Sequence, residues 1–120
     1  MTFAGFPKEM GTFFRGLKRN NRREWFQPRN DAFELHVKGP MTELVAGLNR
    51  EFAKFARHYM TDPKKAIFRI YRDTRFSPDK TPYKTHIAAS FGWRGGEHMA
   101  VSGYYLSVSS DRIEVAGGIY

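Results

Sequence analysis

The stretch Arg69-Ile70-Tyr71-Arg72-Asp73-Thr74-Arg75-Phe76-Ser77-Pro78-Asp79-Lys80-Thr81-Pro82-Tyr83-Lys84-Thr85-His86 divides the chain into two unlike halves. Helical periodicity precedes it and strand-like runs follow it. Pro78 and Pro82 exclude a continuous helix or a central strand across the segment. It reads as an ordered polar loop between a short strand and a sheet. Polar loops of this length on a rigid scaffold are where binding or chemistry tends to sit.

Upstream, Phe6, Met10, Phe13, Phe14 and Leu17 recur at a 3.6-residue period, which predicts a first helix over residues 6–19. Pro7 suits its first position, and Lys18 and Arg19 suit the cation-favouring last turn. Asn21 followed by Glu24 has the spacing of a capping box, so a second helix is expected there, with Trp25 and Phe26 turned inward; Asn20 and Asn21 either cap or face the same pocket as the loop. Pro28 interrupts or restarts it. After Gly39-Pro40, the residues Met41, Leu44, Val45, Leu48, Phe52 and Phe55 form another helical stripe. One kinked helix and two separate ones are equally compatible with residues 22–57.

Downstream, residues 66–71 are strand-prone, and Thr85 to Trp93 form a second strand. Arg94 to Glu97 is a turn, and residues 100–109 form another strand. Ser110-Asp111 turns the chain into a last strand with Ile113 and Val115 on one face. Helices followed by closely spaced strands predict an α+β fold, N-terminal helices packed on a small antiparallel meander. Its 120 residues suit a single domain, 1–120. Within the loop, Tyr71 and Phe76 are the expected anchors.

Eleven Phe, six Tyr and two Trp imply a core built from rings. The absence of cysteine excludes disulfides, thiolate chemistry and zinc–cysteine sites, and fits a cytoplasmic protein. No window approaches the ~18 apolar residues of a membrane span, and residues 1–7 do not read as a signal peptide. The net charge of +8 favours an anionic partner, with a solubilising surface as the bland alternative.

Arg72, Arg75, Lys80 and Lys84 are the cations of the loop, with Tyr83 beside them. Arginine forks bind phosphate or carboxylate in bidentate fashion and lysine adds a point charge. These five residues are the expected ligand contacts, and an anionic small molecule is the first expected partner. Asp73 can instead pair with a neighbouring Arg, which would make the loop an ion-paired brace of a structural domain. His86, Tyr83 and Asp73 are the weak candidates for proton transfer; whether any reaction is catalysed stays open. Asp73 and Asp79 have no spacing that sets a glycosidase separation. No serine-hydrolase elbow, phosphate-binding loop or metal-ligand spacing is present, and no cofactor is expected. A second basic cluster, Arg15, Lys18, Arg19, Arg22, Arg23 and Arg29, lies near Trp25 and Phe26. Interleaved arginines and rings of this kind suit nucleic acid, the second expected partner class.

Four further motifs accompany Arg72-Asp73-x-Arg75-Phe76-Ser77-x-Asp79-Lys80-x-Pro82-Tyr83-Lys84-Thr85. They are Phe3-x-Gly5-Phe6, Asn20-Asn21-x-x-x-Trp25-Phe26, Gly103-Tyr104-Tyr105 and Gly117-Gly118-x-Tyr120. Together they resemble a widespread microbial family of unknown function. The resemblance covers essentially the whole chain and implies no activity. It implies that the chain corresponds to the N-terminal portion of a longer protein. Pro28 departs from the helix-compatible residue expected at that position.

Overall fold

The computed structural model describes residues 5–92 and 102–119. Trp93, the turn expected at 94–97 and His98 lie outside them. Among the described residues, helices, in five α segments, precede a three-stranded antiparallel sheet of order β1-β2-β3, the α+β order expected from the sequence.

Helix α1 spans Lys8–Arg19, with Pro7 at the N-cap, one residue before the position expected for it. Met10, Phe13, Phe14 and Leu17 are all buried, the stripe read from the sequence. Asn20 closes the helix, its backbone N–H and its side-chain amide both donating to the Gly16 carbonyl. Gly16 is required by packing rather than by φ. A Cβ there would stand 2.7 Å from Trp25 Cζ2.

The open question of residues 22–57 resolves into one helical run with two changes of hydrogen-bond register. It passes through α2 (Arg23–Phe26), a 3-10 turn (Gln27–Arg29), α3 (Asn30–Phe33), a π turn (Glu34–Lys38) and α4 (Gly39–Phe55). The causes are the two prolines. Pro28 and Pro40 lack the N–H that an α-turn needs, and the ring crowds the carbonyl four residues back. The tighter 3-10 turn and the wider π turn absorb these defects without ending the helix. The capping box did not form. Arg22 is the N-cap residue, and no side chain caps the helix. The Asn21 amide is engaged elsewhere, as described below.

Two ring clusters build the core. Phe13 lies within 5.8 Å of Phe14, Trp25, Phe26 and Phe33, centroid to centroid. Phe52 meets Phe91 at 5.2 Å and Tyr104 at 5.5 Å. The sheet supplies the opposite wall through β1 (His86–Gly92), β2 (Ser102–Ser109) and β3 (Ile113–Ile119). Ala88 and its partner Ser107 are buried on the opposite side, while Ile87, paired with Val108, and Ala89, paired with Leu106, share one buried face. Ile113 and Val115 continue that face onto β3 but are 62% and 73% exposed.

The strand expected at 66–71 is absent as such. Residues 63–66 form a short helix, α5 (Pro63–Ala66), and the next five make only isolated bridges. Ile67 bridges to Ala89 on β1, and Tyr71 bridges to Tyr83 on the return limb of the loop. Arg72 N–H donates to Pro82 O at 2.9 Å. The reciprocal bond would need a proline N–H, so the ladder stops there. Among the described residues no helix is long and apolar enough to cross a membrane.

Candidate functional site

The loop 72–85 is held by its own cations. Arg72, whose side chain is 26% exposed, donates through Nη1 to Thr81 O at 2.9 Å and Thr81 Oγ1 at 2.7 Å. The same nitrogen lies 3.3 Å from Asp79 Oδ2. Lys80 Nζ donates to Thr74 O at 2.6 Å, and Lys84 Nζ to Arg69 O at 2.7 Å. Arg75 forks onto Asp73, its Nε and Nη2 reaching Oδ1 and Oδ2 at 3.0 and 2.9 Å, at the exposed tip. That fork holds the Asp73 carboxyl below the usual carboxylate range. The Asp79 carboxyl is lowered chiefly by the Thr81 backbone N–H, then by the Thr81 hydroxyl.

The loop is also tied to the helical half. Asn21 Nδ2 donates to Tyr83 O at 2.8 Å, and Tyr83 N–H donates to Asn21 Oδ1 at 3.0 Å. One primary amide thus occupies both backbone groups of Tyr83, as a neighbouring strand would. The Tyr83 ring stacks on Phe26, centroids 4.2 Å apart and planes 15° apart. Tyr71 and Phe76 are not the anchors. They are 55% and 92% exposed, and Tyr83 and Ile70 are the buried residues instead. The loop's connection to the core runs through the return limb. There Asn21 satisfies the polar backbone, and Phe26 covers the ring.

Two open clefts flank this limb. The first, about 640 Å³, is bordered by Arg69, Arg72, Arg75 and Lys84 against a single carboxylate, Asp73. Ile67, Phe68 and Tyr71 complete its wall. The Lys84 ammonium is pushed below its ordinary pKa by burial and by the like charge of Arg69. Arg69 has no carboxylate partner among the described residues. The second cleft, about 390 Å³, is lined by Lys18, Asn21, Arg72, Asp79, Tyr83 and His86, among others. Burial, then the charge of Lys84, push the His86 imidazole below its ordinary range. Burial pushes the Tyr83 phenol up.

The residues singled out from sequence therefore divide. Arg72, Arg75 and Lys84 border one cleft, whereas Lys80 lines neither. Tyr83 and His86 meet in the second cleft, and Asp73 lies in the first, so the three proton-transfer candidates do not share one pocket. Lys18, from the basic end of α1, joins the second cleft. Sequence reasoning missed Arg69, which sits among strand-prone residues and reads as the polar side of a strand. Asn21 does face a cleft with the loop, as one of its two expected placements has it, but its two-bond clamp on Tyr83, 62 positions away, was not foreseen. No group of three or more His, Cys, Asp or Glu that could hold a metal occurs among the described residues.

Fold and site together define a small α+β domain organised around a self-braced cationic loop. The family model described as "Conserved hypothetical protein (DUF2461)" matches residues 9–120, and the chain belongs to that family. No curated protein and no solved structure matches the chain significantly.

Proposed function

We propose that this domain binds a small ligand bearing a phosphate or carboxylate in the cleft bordered by Arg69, Arg72, Arg75 and Lys84. One observation carries the reading. Those four cations face one carboxylate there, and burial, with the like charge of Arg69 added to it, lowers the Lys84 pKa. An anion placed between Arg69 and Lys84 offsets their like charge. It also gains charge-assisted hydrogen bonds worth about 1.5–3 kcal/mol each. Lys80 and Tyr83 act at one remove, Lys80 by fixing the Thr74 carbonyl and Tyr83 by anchoring the return limb. The cysteine-free composition supports a cytoplasmic location.

A second reading, a purely structural brace, is favoured by the bonds from Arg72, Lys80 and Lys84 to the loop's own carbonyls. Thermal shift separates the two. Pyrophosphate and citrate, at matched ionic strength, are expected to raise the melting temperature with a logarithmic dependence on concentration. Arg69→Ala is expected to abolish the rise without lowering the unliganded melting temperature. A rise that survives intact in Arg69→Ala would remove the proposed site, and no rise with any anion would leave the brace. Single-stranded oligonucleotide binding with a steep salt dependence would instead favour the nucleic-acid class.

A further inference from the structure

A third cleft adjoins the cationic one and differs in chemistry. It encloses about 420 Å³ between the helical run and residues 67–71. Its floor is made of the core side chains Phe26, Phe33, Ile70 and Ile87. Its wall is Ile67, Phe68, Arg69 and Tyr71, all four of which also line the cationic cleft. Phe68 and Tyr71 are large apolar side chains left 45% and 55% exposed at this boundary. The π turn Glu34–Lys38 forms the opposite rim, and such bulges recur at functional sites.

The rim is cationic. Lys38, Lys64 and Arg69 stand against Glu34, which lies 3.9 Å from Lys38. Lys64 and Arg69 have no carboxylate partner among the described residues. The volume falls in the range of pockets that hold drug-sized molecules, which are mostly apolar with a few placed polar groups.

We propose that the ligand is an amphiphilic anion, with a flat apolar body seated in this cleft and its phosphate or carboxylate at Arg69. The proposal rests on the anion reading above and adds the ligand's second half. Arg69 is the hinge between the two clefts, since it borders both. The apolar body covers Phe68 and Tyr71, and the charged head meets the cations that lack partners.

Three probes test it by calorimetry on the full chain: 1-naphthyl phosphate, inorganic phosphate and 1-naphthol. Naphthyl phosphate is expected to bind at least about tenfold more tightly than inorganic phosphate, because ring burial adds to the charge contacts. Arg69→Ala is expected to cut naphthyl phosphate affinity about tenfold and to leave naphthol unchanged. Asn30→Trp places a ring at the mouth of the cleft from an exposed helical position. It is expected to remove the naphthyl advantage and to keep phosphate binding. Equal affinity for phosphate and naphthyl phosphate would overturn the amphiphile proposal and leave the anion reading standing. Naphthol binding as tightly as naphthyl phosphate would overturn both, as would no binding by any probe. Naphthyl phosphate binding untouched by Asn30→Trp would overturn the placement. Unliganded melting curves of both variants verify that they fold.

Discussion

Replacing Asn21 by Ala removes the clamp between the two halves of the domain. Two hydrogen bonds are lost, of 2.8 and 3.0 Å, and both partners belong to the backbone of Tyr83, which is 3% exposed. A typical lost hydrogen bond costs about 0.5–1.5 kcal/mol, and a buried group left unpaired costs about 1–3 kcal/mol. Asn21 is itself half-buried, so water reaches part of the vacated space. The expected loss is therefore about 2–4 kcal/mol, a large share of the ~5–15 kcal/mol typical of a domain. Asn21 lies outside the helices, so helix propensity contributes nothing to the change. Urea unfolding reads the effect as a midpoint lowered by about 1–2 M at unchanged slope. Asn21→Asp sharpens the test. It keeps the acceptor for Tyr83 N–H but sets a carboxylate oxygen against Tyr83 O. The fold then favours the protonated carboxyl, which restores the donor and raises its folded pKa above the unfolded value. The variant's deficit should thus be smallest below the unfolded pKa and grow as pH rises through the folded one. An Asn21→Ala variant within ~0.5 kcal/mol of wild type, or a pH-independent Asn21→Asp deficit, would refute the clamp.

Four further outcomes follow from the same geometry. Gly103→Ala should destabilise the sheet by about 1–3 kcal/mol, because its Cβ would stand 2.7 Å from the Phe91 carbonyl oxygen, a backbone atom that cannot swing away; an unchanged unfolding midpoint would contradict this. Arg72→Met should cost about 1.5–3 kcal/mol by stripping Thr81 of its donor, whereas Arg75→Ala, at the exposed tip, should leave thermal stability unchanged; equal losses would contradict the brace. His86 should titrate below the ordinary histidine range in an NMR series, so its effect on stability appears as pH falls through about 6.5, where the unfolded chain takes up the proton first. Lys84→Gln should retain a donor for Arg69 O and most of the melting temperature, raise the His86 pKa and abolish anion binding; full anion affinity in this variant would sink the proposed cleft.

The legible parts of the fold were those set by local periodicity. The α1 stripe is buried at Met10, Phe13, Phe14 and Leu17 because one helical face must leave water. The meander follows from short strand-prone runs between turns, although burial at Ala88 and Ser107 departs from a simple one-face alternation. What escaped was set by competition at long range. Asn21 sits where a capping box would form, but two bonds to Tyr83 are available only after the chain folds back 62 positions. Hydrophobicity alone cannot rank rings in a loop. Tyr71, Phe76 and Tyr83 look alike in sequence, yet only Tyr83 has Phe26 beneath it. Arg69 was hidden for a related reason. A strand assignment makes it an ordinary outward side chain, whereas two isolated bridges leave it at the junction of two clefts.

The brace and the binding site need not compete, because satisfying a carbonyl is not the same as neutralising a charge. The loop has prolines at 78 and 82 and makes a single internal bridge, so the carbonyls of Arg69, Thr74 and Thr81 lack ladder partners. Lys84, Lys80 and Arg72 donate to them, the Thr74 carbonyl accepting from the Ser77 N–H as well. A neutral acceptor takes up one N–H of Lys84 and of Lys80 and leaves the unit charge in place, whereas Arg72 also lies 3.3 Å from Asp79 Oδ2. Bracing with serine or asparagine would satisfy the same carbonyls and produce no field. Bracing with lysine and arginine concentrates positive potential on one side of the limb. Asp73 and Asp79 offset it in part, Asp73 paired with Arg75, and Asp79 bonded to Thr81 and 3.3 Å from Arg72 Nη1. The rigidity that the bonds confer is what an anion site needs, since side chains already fixed lose little entropy when a ligand arrives. A loop held by cations on carbonyls is thus a preorganised positive surface, and Arg69, whose side chain has no carboxylate partner among the described residues, is the proposed contact for a ligand.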